Sequence, residues 1–171
     1  NNSDGKADVI FMDITEDFAV KIADASSKTI YDIYESQKSV CLKDNGEGNV
    51  SFTDEYGNVM FISELVRYDV VSVRRSEDGE IIKAVFSNRE ARGSVEAIEK
   101  SGRNMYVTIG GVRYRTTHAF AENEELKIGD TAVFGLTTLN KIATVNRDIS
   151  SADLGLGFLI NAKLKKGISG V

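Results

Sequence analysis

The stretch "EELKIGDTAVFGLTTLNKIATVN", residues 124–146, repeats the pattern of residues 63–87, "SELVRYDVVSVRRSEDGEIIKAVFS". Each copy has a Glu-Leu pair, three residues, an aspartate, an apolar-rich stretch, a polar turn and a second apolar-rich stretch. We interpret the two aspartates, Asp69 and Asp130, as turn-forming residues at the start of a strand. The repeated element is then a β-hairpin, which predicts two small modules of related design.

The rest of the sequence alternates apolar and polar residues with a period of two, and it is rich in Val, Ile, Thr, Tyr and Phe. Short turn signals such as "DNGEGN" separate these runs. The pattern predicts an all-β chain of two tandem small antiparallel β modules, barrel-like or sandwich-like, with related hairpin units. The first module is expected at 8–90 and the second at 93–147. Residues 148–171 would begin a further unit or return to pack on an earlier module.

The clearest hairpin is "MYVTIGGVRYRTT", residues 105–117, in which Gly110 and Gly111 form a two-residue turn. This register places Ile109 opposite Val112 on one face of the hairpin. Four residues fall on the other face, where Tyr106 and Arg115 are predicted to stack as a cation–π pair. These candidate ligand-binding residues are Tyr106, Thr108, Arg113 and Arg115.

Several local patterns carry their own predictions. "DITED" at 13–17 is expected to be a turn between two strands, and "NVMFIS" at 58–63 a strand. "SVEAIEKSG" at 94–102 fits either a helical turn or a strand, and "AFAENEEL" at 119–126 fits a short helical turn. Cys41, in the apolar run "SVCLK", is expected to be a small buried core residue.

Charge and composition exclude several classes of function. The formal net charge of −5 argues against non-specific nucleic-acid binding and against attachment to an anionic membrane surface. The sequence has no run of about 20 apolar residues that would predict membrane insertion. A single histidine, His118, and a single cysteine cannot supply a catalytic triad or a typical zinc site. We therefore expect no enzymatic activity.

The first eight residues, "NNSDGKAD", resemble the later part of an oxygen-rich calcium loop. Asn2, Asp4 and Asp8 would supply side-chain oxygens and Lys6 its backbone carbonyl, ligands that suit a hard cation such as Ca²⁺. A plain Asp-Gly turn leading into a strand is the alternative. Because the chain begins at Asn1, we expect it to be an excised piece or a mature product.

Four segments together are similar to the repeated β modules of Gram-positive bacterial cell-surface proteins, of the kind found alongside S-layer homology domains. They are "DGKADVIF" with the "KTIYD" strand that follows it, the hairpin "ELVRYDVVSVRRSEDGEIIKAV", the hairpin "VTIGGVRY" and the unit "LKIGDTAVFGLTTLNKIATV". The resemblance implies an exported, non-catalytic structural, adhesion or spacer segment at the cell wall or cell surface. It also implies that residues 1–8 are the end of a linker. Its partners would be neighbouring modules of the same polypeptide, cell-wall glycan or other surface proteins. The alternatives are a carbohydrate- or peptidoglycan-binding module that uses the Tyr106 face, and an accessory domain of a surface hydrolase.

Overall fold

The computed structural model describes residues 11–44 and 46–148, and only the backbone of 11–14. Two β-sheets make up most of this part of the chain, which confirms the all-β prediction. The predicted linker end at 1–8 and nearly all of 148–171 lie outside the described residues.

The first sheet has six strands in the order β3-β2-β1-β5-β6-β4. All neighbours are antiparallel except β4 and β6, which pair in parallel. A short 3-10 helix at Ile62–Glu64 precedes β5. The strands are β1 (Phe11–Asp24), β2 (Thr29–Asp32), β3 (Ser39–Cys41), β4 (Val50–Asp54), β5 (Val70–Ser76) and β6 (Ile82–Ser87).

The second sheet has five strands, all antiparallel to their neighbours, in the order β9-β8-β7-β10-β11. A single short helix, α1 (His118–Asn123), lies between β9 and β10, where a helical turn was predicted. The side chain of Thr117 caps it by accepting a hydrogen bond from the Phe120 backbone N–H. The strands are β7 (Glu90–Ser101), β8 (Asn104–Ile109), β9 (Val112–Arg115), β10 (Thr131–Leu136) and β11 (Ile142–Asn146).

The repeat seen in the sequence extends to all five strands of the second sheet and to every strand of the first except β4. In each sheet, three consecutive strands pair in order and a later strand, β5 or β10, returns to lie beside the first, which is a Greek-key connection. The next strand, β6 or β11, then pairs with this returning strand. The corresponding strands are thus β1, β2, β3, β5 and β6 in the first sheet and β7, β8, β9, β10 and β11 in the second. The hairpins that suggested the repeat, β5–β6 and β10–β11, each consist of the returning strand and the strand after it.

The turn before the returning strand, β5 in the first sheet and β10 in the second, has the same hydrogen bonds in both sheets. Asp69 accepts a bond from the Val66 N–H through Oδ2, and Asp130 does the same for Lys127, both at 2.8 Å. The residue before each aspartate has a positive φ, 77° at Tyr68 and 95° at Gly129. The prediction that both acids form turns at the start of a strand is therefore confirmed.

These turns are also tied to the first strand of their own sheet. The Val20 N–H donates to the Asp69 carbonyl at 2.9 Å, and the Val95 N–H donates to the Asp130 carbonyl at 2.8 Å. The strand pairing shifts register directly after each of these valines. The two copies thus share the bulge and its anchor as well as the strand order.

Each sheet has its own buried apolar cluster. Phe18, Ile30 and Val71 are fully buried in the first, and Phe120, Phe134 and Ile142 in the second. The alternation of buried and exposed residues along β8 shows how the period-two pattern builds this core.

Three local predictions were wrong. "DITED" is not a turn but part of the single long strand β1, because Glu16 pairs with Arg75 of β5 at 3.1 Å and Asp17 accepts a bond from Ser72 of β5. "NVMFIS" is not a regular strand; Val59 makes one isolated bridge to Thr53, and the chain then enters the 3-10 helix. Cys41 is exposed, because Val40 and Leu42 on either side of it face the core.

The ambiguous segment 94–102 is a strand as far as Ser101, the last residue of β7. The predicted pairing of Ile109 with Val112 around Gly110 and Gly111 is confirmed. Both glycines have positive φ, as the two-residue turn requires.

Candidate functional site

The predicted ligand-binding face lies on β8 and β9 of the second sheet. Tyr106 is directly opposite Arg115, and Thr108 is directly opposite Arg113, as the hairpin register predicted. Because successive residues of a strand point to opposite faces, these four side chains share the face that points away from the buried Val107 and Ile109.

The stacking pair differs from the prediction. Arg113, not Arg115, lies over the Tyr106 ring, with its guanidinium carbon 3.7 Å from the ring centre. Arg115 instead donates a hydrogen bond to the side-chain oxygen of Asn104. Diagonal contacts of this kind are within reach of long side chains across an antiparallel pair.

Arg113 is held a second time by Glu99 on β7, with 2.9 Å between the guanidinium and the carboxylate. The hydrogen bond and charge of Arg113 lower the pKa of Glu99, and Glu99 raises the pKa of Arg113. The aromatic ring is thus covered on one side by a cation that already has an acidic partner. A ligand would have to replace both contacts in order to stack on that side of the ring.

The predicted calcium ligands Asn2, Asp4, Lys6 and Asp8 lie outside the described residues. Within 11–44 and 46–148, no group of three or more His, Cys, Asp or Glu side chains is placed to hold a metal ion. Asp69 and Asp130 bind backbone N–H groups of their own turns. Burial raises the pKa of Asp69.

A contact region that the sequence did not predict lies between the two sheets, and we call it the junction. Thr144 of β11 is buried and donates a hydrogen bond from Oγ1 to the carbonyl oxygen of Tyr68 at 2.8 Å. Gly135 of β10 faces the same turn; a Cβ there would lie 3.0 Å from a methyl group of Val70 and 3.3 Å from the Tyr68 carbonyl. The backbones approach closely only because residue 135 is a glycine.

Tyr34 forms a second part of the junction. Its ring meets Phe120 of the second sheet edge-on, with 6.1 Å between ring centres, and its hydroxyl donates to Glu124 at 3.1 Å. Burial, followed by the charge of Glu124, raises the pKa of the Tyr34 hydroxyl. A residue of the loop between β2 and β3 therefore packs against the second core.

A chain of polar side chains completes the junction. The Ser72 hydroxyl donates to Asp17 at 2.8 Å and lies 3.3 Å from the Thr138 hydroxyl. Burial raises the pKa of Asp17, while Ser72 and two lysines act in the opposite direction. No local sequence signal identifies this row of hydrogen-bonded side chains, because its members come from three distant segments.

Comparison with protein-family models, with curated proteins and with solved structures finds no match to this chain. In the part of the chain that the structure describes, no helix is long and apolar enough to cross a membrane.

Proposed function

We propose that this chain is a non-catalytic structural segment, a spacer or adhesion unit, of a bacterial cell-surface protein. The observation that carries the proposal is the junction, which fixes two copies of one topology against each other. Strand β6 ends at Ser87 and β7 begins at Glu90, so the connecting chain has little freedom. Neighbouring modules of the same polypeptide would then be its principal partners, outside the cell.

The contacts of the junction favour a stiff unit. Domains in one chain move relative to each other by default unless their interface is extensive and well packed. Here the buried Thr144 bond, the close approach at Gly135 and the Tyr34–Phe120 contact involve different segments of both sheets. Arg89 in the connection adds bonds to both sides, to Glu55 at 2.7 Å and to Asn140 at 3.0 Å.

A distance measurement between spin labels tests this stiffness. The only cysteine, Cys41, is exposed on the first sheet, and Ser101→Cys would place a second label on the second sheet. A spacer predicts one narrow distance distribution, broadened in a Tyr34→Ala variant that loosens the junction. A broad distribution in the unaltered junction would contradict the proposed role.

The rival function, glycan or peptidoglycan binding on the Tyr106 face, has its own test. Because Arg113 covers one side of the ring and is paired with Glu99, we expect no retention of the chain on peptidoglycan. Retention that is lost in Tyr106→Ala, and kept in the matched variant Tyr31→Ala on the first sheet, would replace the spacer proposal with a binding function.

A further inference from the structure

An open groove runs along the first sheet beside the junction. Its volume is about 590 Å³, within the range of sites for small molecules. Two cross-strand pairs of β5 and β6 line it, Ser72 with Val85 and Arg74 with Lys83. The turn at 55–56 lines it as well. The groove is therefore built largely on regular strands, which hold its shape.

The four charged side chains that line the groove all have partners within the protein. Glu55 accepts a hydrogen bond from the Arg89 guanidinium at 2.7 Å. Arg74 donates to the Thr15 hydroxyl at 3.3 Å, and Lys83 also has an interaction partner. An ionic ligand would have to replace such contacts, whereas a neutral ligand leaves them in place. The groove therefore favours a neutral ligand.

Tyr56 gives the groove an aromatic surface. It is 79% exposed, and its backbone N–H donates to Asp54 at 2.8 Å. Asp54 also accepts a bond from the Asn58 N–H, and Gly57 has a φ of 88°, so the turn that presents the ring is well defined. A ring on a fixed turn can stack against the apolar face of a ligand without being ordered first.

Asn88 gives the same groove a polar group of the complementary kind. It is exposed in the short connection between β6 and β7. Its amide has two donor hydrogens and one acceptor oxygen, so it can pair with two neighbouring hydroxyl groups at once. Val85 of β6 is half-buried and adds an apolar contact. A ligand with an apolar face and hydroxyl groups along its edge suits all three side chains.

We propose that this groove binds a neutral oligosaccharide of β-linked, gluco-configured pyranose units. Such a unit carries its hydroxyl groups around the edge and only C–H bonds on its two faces. One face lies against Tyr56 while an edge meets Asn88. Peptidoglycan, in which alternate sugar units carry anionic peptide stems, is not such a ligand. The site is independent of the spacer role, because a stiff segment can carry it.

Calorimetric titration with cellotetraose tests the proposal. The reference is β-1,4-galactotetraose, in which an axial C4–O4 bond interrupts one face of every ring. Cellotetraose is expected to bind about ten-fold more tightly than this reference. Its affinity should also be the same in low salt and in about 0.5 M salt, because no ion pair with the ligand contributes.

Substitutions locate the binding site. Tyr56→Ser should weaken the binding of cellotetraose about ten-fold, and Tyr56→Phe, which keeps the ring, should retain it. Asn88→Ala should weaken it about three-fold or more. Tyr31→Ser, which removes another exposed tyrosine of the first sheet, should leave it unchanged. Because these side chains lie on the surface, circular dichroism of each variant is expected to match the parent, which separates a binding defect from unfolding.

Four results would overturn the proposal. The first is the absence of cellotetraose binding at about 10 mM. The second is equal binding of the galactotetraose, which would mean that no flat face is recognised. The third is a ten-fold loss of affinity in high salt, which would indicate an ionic contact. The fourth is an equal loss in Tyr56→Ser and Tyr31→Ser, which would place the binding outside the groove.

Discussion

Gly135 is a position where the two sheets approach closely, and it gives a sharp test of the junction. A Cβ at this position would lie against the Thr144 hydroxyl at 2.3 Å, well inside contact distance. Gly135→Ala must therefore displace a buried side chain, and such overpacking costs about 1–3 kcal/mol. Alanine recovers about 0.5–1 kcal/mol of backbone entropy relative to glycine. We expect a net loss of about 1–2 kcal/mol in the free energy of unfolding.

Thr144→Ala separates this steric effect from a general loss of packing. The single change removes the bond to the Tyr68 carbonyl and should cost about 1–2 kcal/mol, since that carbonyl loses a buried partner. It also removes the atom that an alanine at 135 would meet first. The double variant should therefore be more stable than the sum of the two single losses predicts, by about 1 kcal/mol.

Urea unfolding, followed by circular dichroism and tyrosine fluorescence, measures the cycle; the chain has six tyrosines and no tryptophan. Thr131→Ala is the matched control, because Thr131 starts the same strand as Gly135 but is exposed. It should change stability by less than about 0.5 kcal/mol. Strictly additive losses in the double variant, within about 0.5 kcal/mol, would refute the close contact at the junction.

Three further predictions concern single side chains. Burial raises the pKa of Asp17, so the folded chain holds the carboxyl proton more tightly than the unfolded chain. The folded state therefore loses stability as pH rises from about 3.9 through the raised pKa. Asp17→Asn should remove this loss and be more stable than the parent in urea titrations at pH 7. Asp32 is buried and accepts hydrogen bonds from three backbone N–H groups. Asp32→Ala should therefore lower the free energy of unfolding by about 3 kcal/mol, seen as a strong fall in melting temperature, and Asp32→Asn should lower it by less. Equal losses in the two variants would contradict a hydrogen-bonding role. Gly129→Ala should cost about 1 kcal/mol at its positive φ, whereas Tyr68→Gly should cost less despite the larger change in size; the reverse order in urea would refute the equivalence of the two turns.

The sequence predicts those features of the fold that short stretches of residues determine, such as turn positions and hairpin register. The spacing around Asp69 and Asp130 located both turns, and the glycine pair at 110–111 set the register of the β8–β9 hairpin, both of which the structure confirms. The exposed position of Cys41 was also readable from its place between Val40 and Leu42, since alternate residues of a strand share a face. The apolar composition of the run "SVCLK" instead favoured the wrong prediction, that Cys41 is a buried core residue.

Distant pairings could not be predicted in the same way. The acids of 13–17 fit a turn as well as a strand until β5 supplies their partners, and the parallel contact of β4 with β6 has no local signature. In the candidate site, too, local sequence predicts one part of the arrangement and distant strands determine the rest. The register placed Tyr106 and the two arginines on one face, but the choice of Arg113 for stacking depends on Glu99 from another strand.

The two sheets differ most between their third strand and the strand that returns beside the first. In one sheet, residues 42–69 fill this connection with a strand and a 3-10 helix; in the other, residues 116–130 fill it with one short helix. The same strand order is kept around both. Two connections of different length and content thus occur at the same place in the strand order, so this position tolerates insertions and is suitable for protein engineering. A reporter peptide or a binding loop grafted there should leave the architecture intact.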